Sequence, residues 1–351
     1  MYYVPQVYKG LDIGSAKPSL AERQEVPHHL VDILHPSEEY SVGQFYEDAR
    51  QIADEILSRG RVPVVTGGTG LYLRCLENFV EGNRYILKYE NLFRNALDDP
   101  PIFSTLDECH FLIVQSSGAS PSAFQVPYNS FKEKLDSSKV YASDTHSSTA
   151  ELQERKSKDL DYDFICFFLS TQRLDLYRSI DFRCEDMLLD DGILSEAKWL
   201  LDLGLMPNSN SATRAIGYRQ AMDYLLMSRE QGGWSSSKDF YRFLSEFQKA
   251  SRNFAKRQLT WFRNEPIYQW IDASKPLENV LSFICDAYED QTGKLKVPRS
   301  LCMEKDISNM KEVRLLKAYR TKNRHFISRD DCNGILDWVK RTQGEPTVSV
   351  S

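Results

Sequence analysis

The sequence predicts an α/β fold whose second half is largely helical. Three observations carry this. Strand and helix patterns alternate over residues 1–74, a short strand runs into a glycine-rich turn at 62–70, and helical periodicity dominates from about residue 173 to 263. The 351 residues suffice for one large domain or two smaller ones. With 41% hydrophobic and 27% charged residues, the composition excludes a wholly disordered or collagen-like chain. No apolar run approaches the roughly 20 residues of a membrane-spanning helix. Lys plus Arg is 44 and Asp plus Glu is 50, giving a net charge of −6. The mild acidity argues against a protein that is basic throughout, yet leaves room for a local basic face that binds nucleic acid.

Ser41-Val42-Gly43-Gln44 reads as a capping box that opens a helix. Phe45, Ala49, Ile52, Ala53 and Ile56 follow at helical spacing, and Gly60 is a natural stop. Val62-Pro63-Val64-Val65 reads as a short buried strand that enters Thr66-Gly67-Gly68-Thr69-Gly70, with a new helix from near Leu71. Strand, glycine turn and helix together are a scaffold for an anion at a helix N-terminus; a plain connecting turn is the alternative.

Residues 75–160 are less regular, with Pro100-Pro101 and Ser-rich stretches at 116–122 and 136–148 reading as loops. A second strand is expected over Phe164–Leu169. A helix follows from about Arg173, with Leu174, Tyr177, Ile180, Cys184 and Met187 on one face. Another spans about 194–203, closed by Gly204, and helical patterning returns over 212–227.

In the helix expected over 240–263, Phe243, Phe247, Phe254 and Trp261 fall within about 40° of one another, a core face. Lys249, Arg252, Lys256 and Arg263 lie roughly opposite. That side is either a solvated surface or an electrostatic strip for phosphates, and no acidic residue interrupts it between Gln248 and Arg263. The last sixty residues are polar, with helical patterns at 309–319 and 333–340, and read as an appended peripheral element.

The seven cysteines are odd in number and none forms a C-x-x-C pair, which favours free thiols in a reducing compartment. His325 and Cys332 have no companions to complete a zinc set, so no metal ligand is assigned. MYYVPQVYKG is neither a signal nor a transit peptide, so the chain as it stands reads as cytoplasmic.

Three features suggest an enzyme joining a phosphorylated donor to a nucleic acid. They are the turn at 66–70, the arginine of Ala212-Thr213-Arg214-Ala215, which could pair bidentately with a phosphate, and the basic aromatic segment ending Ala255-Lys256-Arg257-Gln258-Leu259-Thr260-Trp261-Phe262-Arg263. At these residues the chain resembles the tRNA dimethylallyltransferase (tRNA isopentenyltransferase) family. Gln6-Val7-Tyr8-Lys9-Gly10-Leu11-Asp12-Ile13-Gly14-Ser15-Ala16-Lys17-Pro18 is similar to the family's Q-V-Y-[RK]-G-[LM]-D-[IV]-G-[ST]-A-K-P. Pro27 to Ile33, Tyr40-Ser41-Val42 and Gly60 to Leu73 match in order. So do Arg173 to Arg183 against R-x-x-L-Y-x-R-I-D-x-R, then Gly217-Tyr218-Arg219-Gln220 and Ala255-Lys256-Arg257-Gln258. The similarity covers roughly 6–74 and 160–265.

The resemblance implies a P-loop NTPase-like parallel sheet flanked by helices, and transfer of the dimethylallyl group of dimethylallyl diphosphate to N6 of adenine 37, beside the tRNA anticodon, in a monomer. It implies that the adenine leaves the stack, that a P-loop and Mg²⁺ hold the diphosphate, and that an Asp accepts the N6 proton. Arg214 is placed on the diphosphate, Thr69 at the tRNA channel, and Gln6, Val7 and Tyr8 beside the target base. Arg252, Lys256 and Arg257 are the candidate tRNA contacts of the basic strip.

The chain departs from the family in three places. The family's P-loop would lie upstream of Gln6. The Asp-Ser pair expected before the Gln is replaced by Tyr3 and Val4. The family's helical insert is mostly absent, with Thr105 to Ser116 in its place. The core is thus expected at 1–74 plus 160–265, a shortened insert at 75–159 and an appended extension at 266–351. The missing first strand would leave strand edges unpaired in the interior, which points to an incomplete gene model or an alternative start and leaves the activity of the chain in question. A plastid or mitochondrial address would be lost with the same segment. The competing readings are an adenylate isopentenyltransferase making a free cytokinin and a non-catalytic tRNA-binding remnant.

Overall fold

The computed structural model describes residues 5–68, 110–116, 162–290, 296–304 and 310–344. Helices α1 (Leu20–Glu25) and α2 (Val42–Ser58) precede strand β1 (Val64–Thr66). Strands β2 (His110–Ser116) and β3 (Tyr162–Ser170) lead into α3 (Arg173–Asp186), α4 (Gly192–Asp202), α5 (Ser211–Arg214), α6 (Tyr218–Glu230) and the long α7 (Ser237–Arg263). Strand β4 (Gln269–Asp272), α8 (Leu277–Glu289), α9 (Met310–Lys317) and α10 (Asn333–Gln343) follow. No helix of the described residues is long and apolar enough to cross a membrane.

Local chemistry sets the helix ends. The capping box of α2 forms as expected: the Ser41 hydroxyl accepts from the Gln44 N–H at 3.1 Å, and the Gln44 side chain accepts from the Ser41 N–H at 2.8 Å. Phe45, Tyr46 and Ala53 of α2 are buried. Gly204 closes α4 with a φ of +78°. The helix expected over 212–227 is two. The chain breaks at Gly217, whose φ is +86°, and a Cβ there would stand 2.4 Å from Ile193 Cδ1, so only glycine fits.

The sheet has the order β1-β2-β3-β4. Among the described residues β3 and β4 run parallel, while β1–β2 and β2–β3 are antiparallel. The parallel pairing implied by the resemblance is present in β3–β4, and an isolated parallel bridge joins Tyr8 to Leu34. The antiparallel strand β2 lies in the stretch expected to be a shortened insert. Its backbone pairs on both sides, Leu112 with Val65 and with Cys166, so both of its own edges are satisfied. Strand β1, expected to be buried, is an edge, and Val64 is 54% exposed.

Strand β3 is apolar from Phe164 to Leu169, and over residues 165–170 both of its faces are covered. Phe168 faces α7 and β4, with ring centroids 4.7 Å from Phe262 and 4.3 Å from Trp270. Phe167 points the other way and meets Phe283 of α8 edge-on at 6.0 Å. The main core lies on the Phe168 side, and a smaller core of Phe167, Ile271, Val280, Phe283, Ala287 and Leu301 lies on the other. Strand β4 and helix α8 were not expected from the sequence.

The C-terminal residues do not behave as a peripheral appendage. Phe326, Cys332, Ile335, Trp338 and Val339 are buried in the main core, and α10 packs on α6. Glu185 on α3, fully buried, accepts the backbone N–H groups of Arg324, His325 and Phe326 at 2.7, 3.0 and 2.9 Å.

Candidate functional site

The Gln6–Pro18 stretch folds back on itself. Val7 and Tyr8 are buried and pair with Ile33 and Leu34 through backbone hydrogen bonds. The Gln6 side-chain amide donates to the carbonyls of Ser15 and Ala16 at 3.2 and 3.4 Å. Lys17 is 1% exposed, and its ammonium reaches the Tyr8 carbonyl at 2.5 Å, Asp12 at 2.7 Å and Asp32 at 2.5 Å. Arg23 also pairs with Asp32 at 2.5 Å. Burial pushes the Asp32 carboxyl up, but the hydrogen bonds from Lys17 and Arg23 outweigh it and hold it below its ordinary value.

The Gly217-Tyr218-Arg219-Gln220 motif docks onto the same stretch through Glu196. One carboxylate oxygen of Glu196 accepts the N–H groups of Asp12 and Ile13 at 2.6 and 2.7 Å; the other accepts the Gly14 N–H at 3.0 Å and the Tyr218 hydroxyl at 2.7 Å. A Cβ on Gly14 would lie 2.6 Å from Tyr218 Cζ, so this approach requires glycine. Gln220 accepts the Gly217 N–H at 2.9 Å and so caps α6.

Arg214 ends the short helix α5 and is half-buried, with its Nε donating to the Asn208 carbonyl at 2.9 Å. Its helix is fixed to the loop after Leu34: the Asn210 amide donates to the Pro36 carbonyl at 2.7 Å, and the Ser211 hydroxyl donates to Glu39. Gln6–Tyr8 and Arg214 are thus both anchored on the 32–39 segment.

The glycine turn is tied to the basic helix. Buried Gln258 of Ala255-Lys256-Arg257-Gln258 donates to the Gly68 carbonyl at 2.9 Å. Lys256 and Arg257 flank that contact and are exposed. Thr69 and the helix expected from Leu71 lie outside the described residues, as do Tyr3 and Val4.

Arg252 departs from the expected strip. Its guanidinium turns inward to a close ion pair with Asp181, which is 1% exposed, and bonds the Thr321 hydroxyl at 3.1 Å. It also lies 5.5 Å from the Tyr319 ring centroid, and the Tyr319 hydroxyl donates to Asp181 at 2.8 Å. The reason is the C-terminal segment, which covers this part of α7. Burial pushes the Asp181 carboxyl up, with the charge of Arg252 opposing. Sequence reasoning missed Asp181, Glu185 and Glu196. Asp181 and Glu185 are one helical turn apart, interleaved with Ile180 and Cys184 on the apolar face of α3, and carboxylates on a core stripe imply buried partners.

Among the described residues no three His, Cys, Asp or Glu side chains gather to hold a metal. His325 faces Asp186 at 3.1 Å, and the Cys332 thiol donates to the Arg329 carbonyl at 3.2 Å. Mg²⁺ is commonly held by one or two carboxylates together with substrate phosphates. The described residues do not build such a site by themselves.

Residues 6–265 match the family model described as IPP transferase. A relative from Arabidopsis thaliana, tRNA dimethylallyltransferase 9, is 51% identical over 95% of this chain and 78% of its own length. The tRNA dimethylallyltransferase of Protochlamydia amoebophila is 35% identical over 81% of this chain and 79% of its own. Among solved structures, the tRNA isopentenylpyrophosphate transferase of Bacillus halodurans superposes with a TM-score of 0.52 at 27% identity, covering 83% of this chain and 88% of that one.

Proposed function

Because the chain belongs to the IPP transferase family, we propose that it transfers the dimethylallyl group of dimethylallyl diphosphate to N6 of adenine 37 in tRNA. The observation that carries this reading is the joining of the family's ordered motifs to one another. The Gln6–Lys17 stretch meets Gly217-Tyr218-Arg219-Gln220 through Glu196, and the glycine turn meets Ala255-Lys256-Arg257-Gln258 through Gln258. In the reaction the C–N bond forms as the C–O bond to the diphosphate breaks. The diphosphate leaves with the electron pair, and N6 gives up a proton.

Arg214 is the proposed diphosphate contact. A guanidinium is suited to pair with a phosphate through two parallel N–H bonds, and the short helix that carries it is fixed to the loop after Leu34. Gln6–Tyr8 are proposed beside the target base, Thr69 at the tRNA channel, and Lys256 and Arg257 on the tRNA backbone. Bound Mg²⁺ would neutralise charge on the departing diphosphate; no residue of this chain is assigned to it or to the N6 proton. The five described cysteines are free thiols, which suits the proposed cytoplasmic setting, and a monomer is proposed.

The test is prenyl transfer by the protein expressed from its natural transcript, with labelled dimethylallyl diphosphate and either unmodified tRNA or AMP as acceptor. Label in tRNA at adenine 37 is expected. Prenylated AMP without prenylated tRNA would replace this reading by a cytokinin-forming one, and tRNA binding without product would leave a binding protein. The comparisons lend neither alternative support, since the relatives are named as tRNA dimethylallyltransferases. Arg214→Ala is expected to weaken donor use by roughly 10- to 100-fold, the value of a charge-assisted contact, with tRNA affinity within about twofold. Equal loss in both would remove Arg214 from the donor site.

A further inference from the structure

The segment joining α9 to Phe326 alternates in exposure. Tyr319, Thr321 and Asn323 face inward, whereas Arg320, Lys322 and Arg324 face outward. The inward set grips the core: Tyr319 bonds Asp181, Thr321 bonds Arg252, and Asn323 accepts from the Gln248 amide at 3.1 Å. This grip fixes which way the cations point. Arg320 and Lys322, two residues apart, both stand on the outer side.

Arg314 and Lys317 on α9 are exposed, and α9 packs against α3. No Asp or Glu occurs between Glu312 and Asp330. The acidic side chains nearby on α3 are taken: Asp175 pairs with Arg178, Asp181 with Arg252, and Asp186 with Arg324. Among the described residues Arg314, Lys317, Arg320 and Lys322 form no ion pair. Lys249 and Lys256 stand one turn either side of Arg252 on α7, both exposed, so the two basic runs adjoin where Thr321 meets Arg252.

We propose that Arg314, Lys317, Arg320 and Lys322 form, with Lys249 and Lys256, a strip that binds the phosphate backbone of the tRNA acceptor away from the reacting base. This rests on the tRNA-modifying reading above. Distance supports it for the C-terminal cations: their segment meets α7 at Arg252 and Gln248, six and ten residues from Gln258, or about 9–15 Å along the helix from the glycine turn. With Lys256 near the turn and the C-terminal cations farther along, the strip extends over several phosphates rather than one. On a chain of net charge −6, such a local cationic surface is also where a polyanion is attracted first.

The test is filter binding of unmodified tRNA across a salt series, using the full chain. A variant carrying Arg314→Gln, Lys317→Gln, Arg320→Gln and Lys322→Gln is expected to bind at least about tenfold more weakly at 0.1 M salt, with the salt slope smaller by about 2–4. A second variant, Lys249→Gln with Lys256→Gln on another element, is expected to weaken binding in the same direction. Arg314→Lys with Arg320→Lys keeps the charge and is expected to bind as the wild type does. Wild-type affinity and slope in the fourfold variant, with the wild-type protein transferring prenyl to tRNA, would overturn the strip alone. Loss of heparin binding with tRNA affinity intact would overturn it in favour of another polyanion. A wild-type protein that neither binds nor prenylates tRNA would sink the functional reading, and the strip with it.

Discussion

Lys17 shows how a residue can belong to a functional motif for structural reasons. Its ammonium is almost fully buried, yet every contact is internal: one carbonyl and two carboxylates. It cannot touch a substrate in this arrangement, but it ties the Tyr8 backbone to Asp32, and so sets the position of Gln6–Tyr8. Removing one member of a buried pair costs about 3–5 kcal/mol. Asp12 is 59% exposed and recovers its hydration, so Lys17→Met should fall near the lower end, read by urea unfolding at pH 7. The pH dependence follows from Asp32, whose carboxyl is held below its ordinary value. A depressed carboxyl contributes stability that is present above the unfolded pKa, near 3.9, and is lost as pH falls through the lower folded value. The gap between wild type and Lys17→Met should therefore narrow as pH is taken from 7 to about 3. A gap that stays constant would mean the loss is one of packing.

At the scale of elements, what was legible in the sequence was what is decided locally. The Ser41–Gln44 box, the Gly204 stop and the aromatic face of α7 depend on residues within a few positions, and all appear in the structure. The break at Gly217 was not legible, because the atoms that forbid a Cβ belong to Ile193 and Phe247, each more than twenty residues away. Strand β2 was missed because its pairing partners, Val64–Thr66 and Tyr162–Ser170, are about fifty residues off on either side. The inward turn of Arg252 needed Tyr319 and Thr321, far along the chain. For the candidate site, the motif order located the segments, but not the carboxylate, Glu196, that joins two of them. Glu185 is a similar hinge between elements, and it yields a prediction. In Glu185→Ala the N–H groups of Arg324, His325 and Phe326 lose their acceptor, at about 1–3 kcal/mol for each one that stays buried. The segment is expected to open locally, and trypsin should cut at Lys322 or Arg324 at least about tenfold faster. Unchanged protection would show that Phe326 and the Asp181 cluster hold the segment without Glu185.

The family match ends at Glu265, but the folded unit does not end there. The smaller core consists, apart from Phe167, of residues beyond that point: Ile271, Val280, Phe283, Ala287 and Leu301. The main core also takes Trp270, Phe326, Cys332, Ile335, Trp338 and Val339 from beyond it. Burying a large apolar side chain is worth about 1.5–3 kcal/mol. Loss of eight or nine such side chains, about 12–27 kcal/mol, is comparable to or larger than the roughly 5–15 kcal/mol by which a domain is stable. A chain stopped at Glu265 would also leave the outer face of β3 bare and Asp181, 1% exposed in the whole protein, without the Tyr319 hydroxyl. Such a fragment is expected to lack a cooperative thermal transition and to bind a hydrophobic dye, although it contains every motif of the family match. The whole chain should melt in one step. A fragment that stays monomeric and melts within about 5 °C of the whole chain would show that 266–344 is an appendage after all.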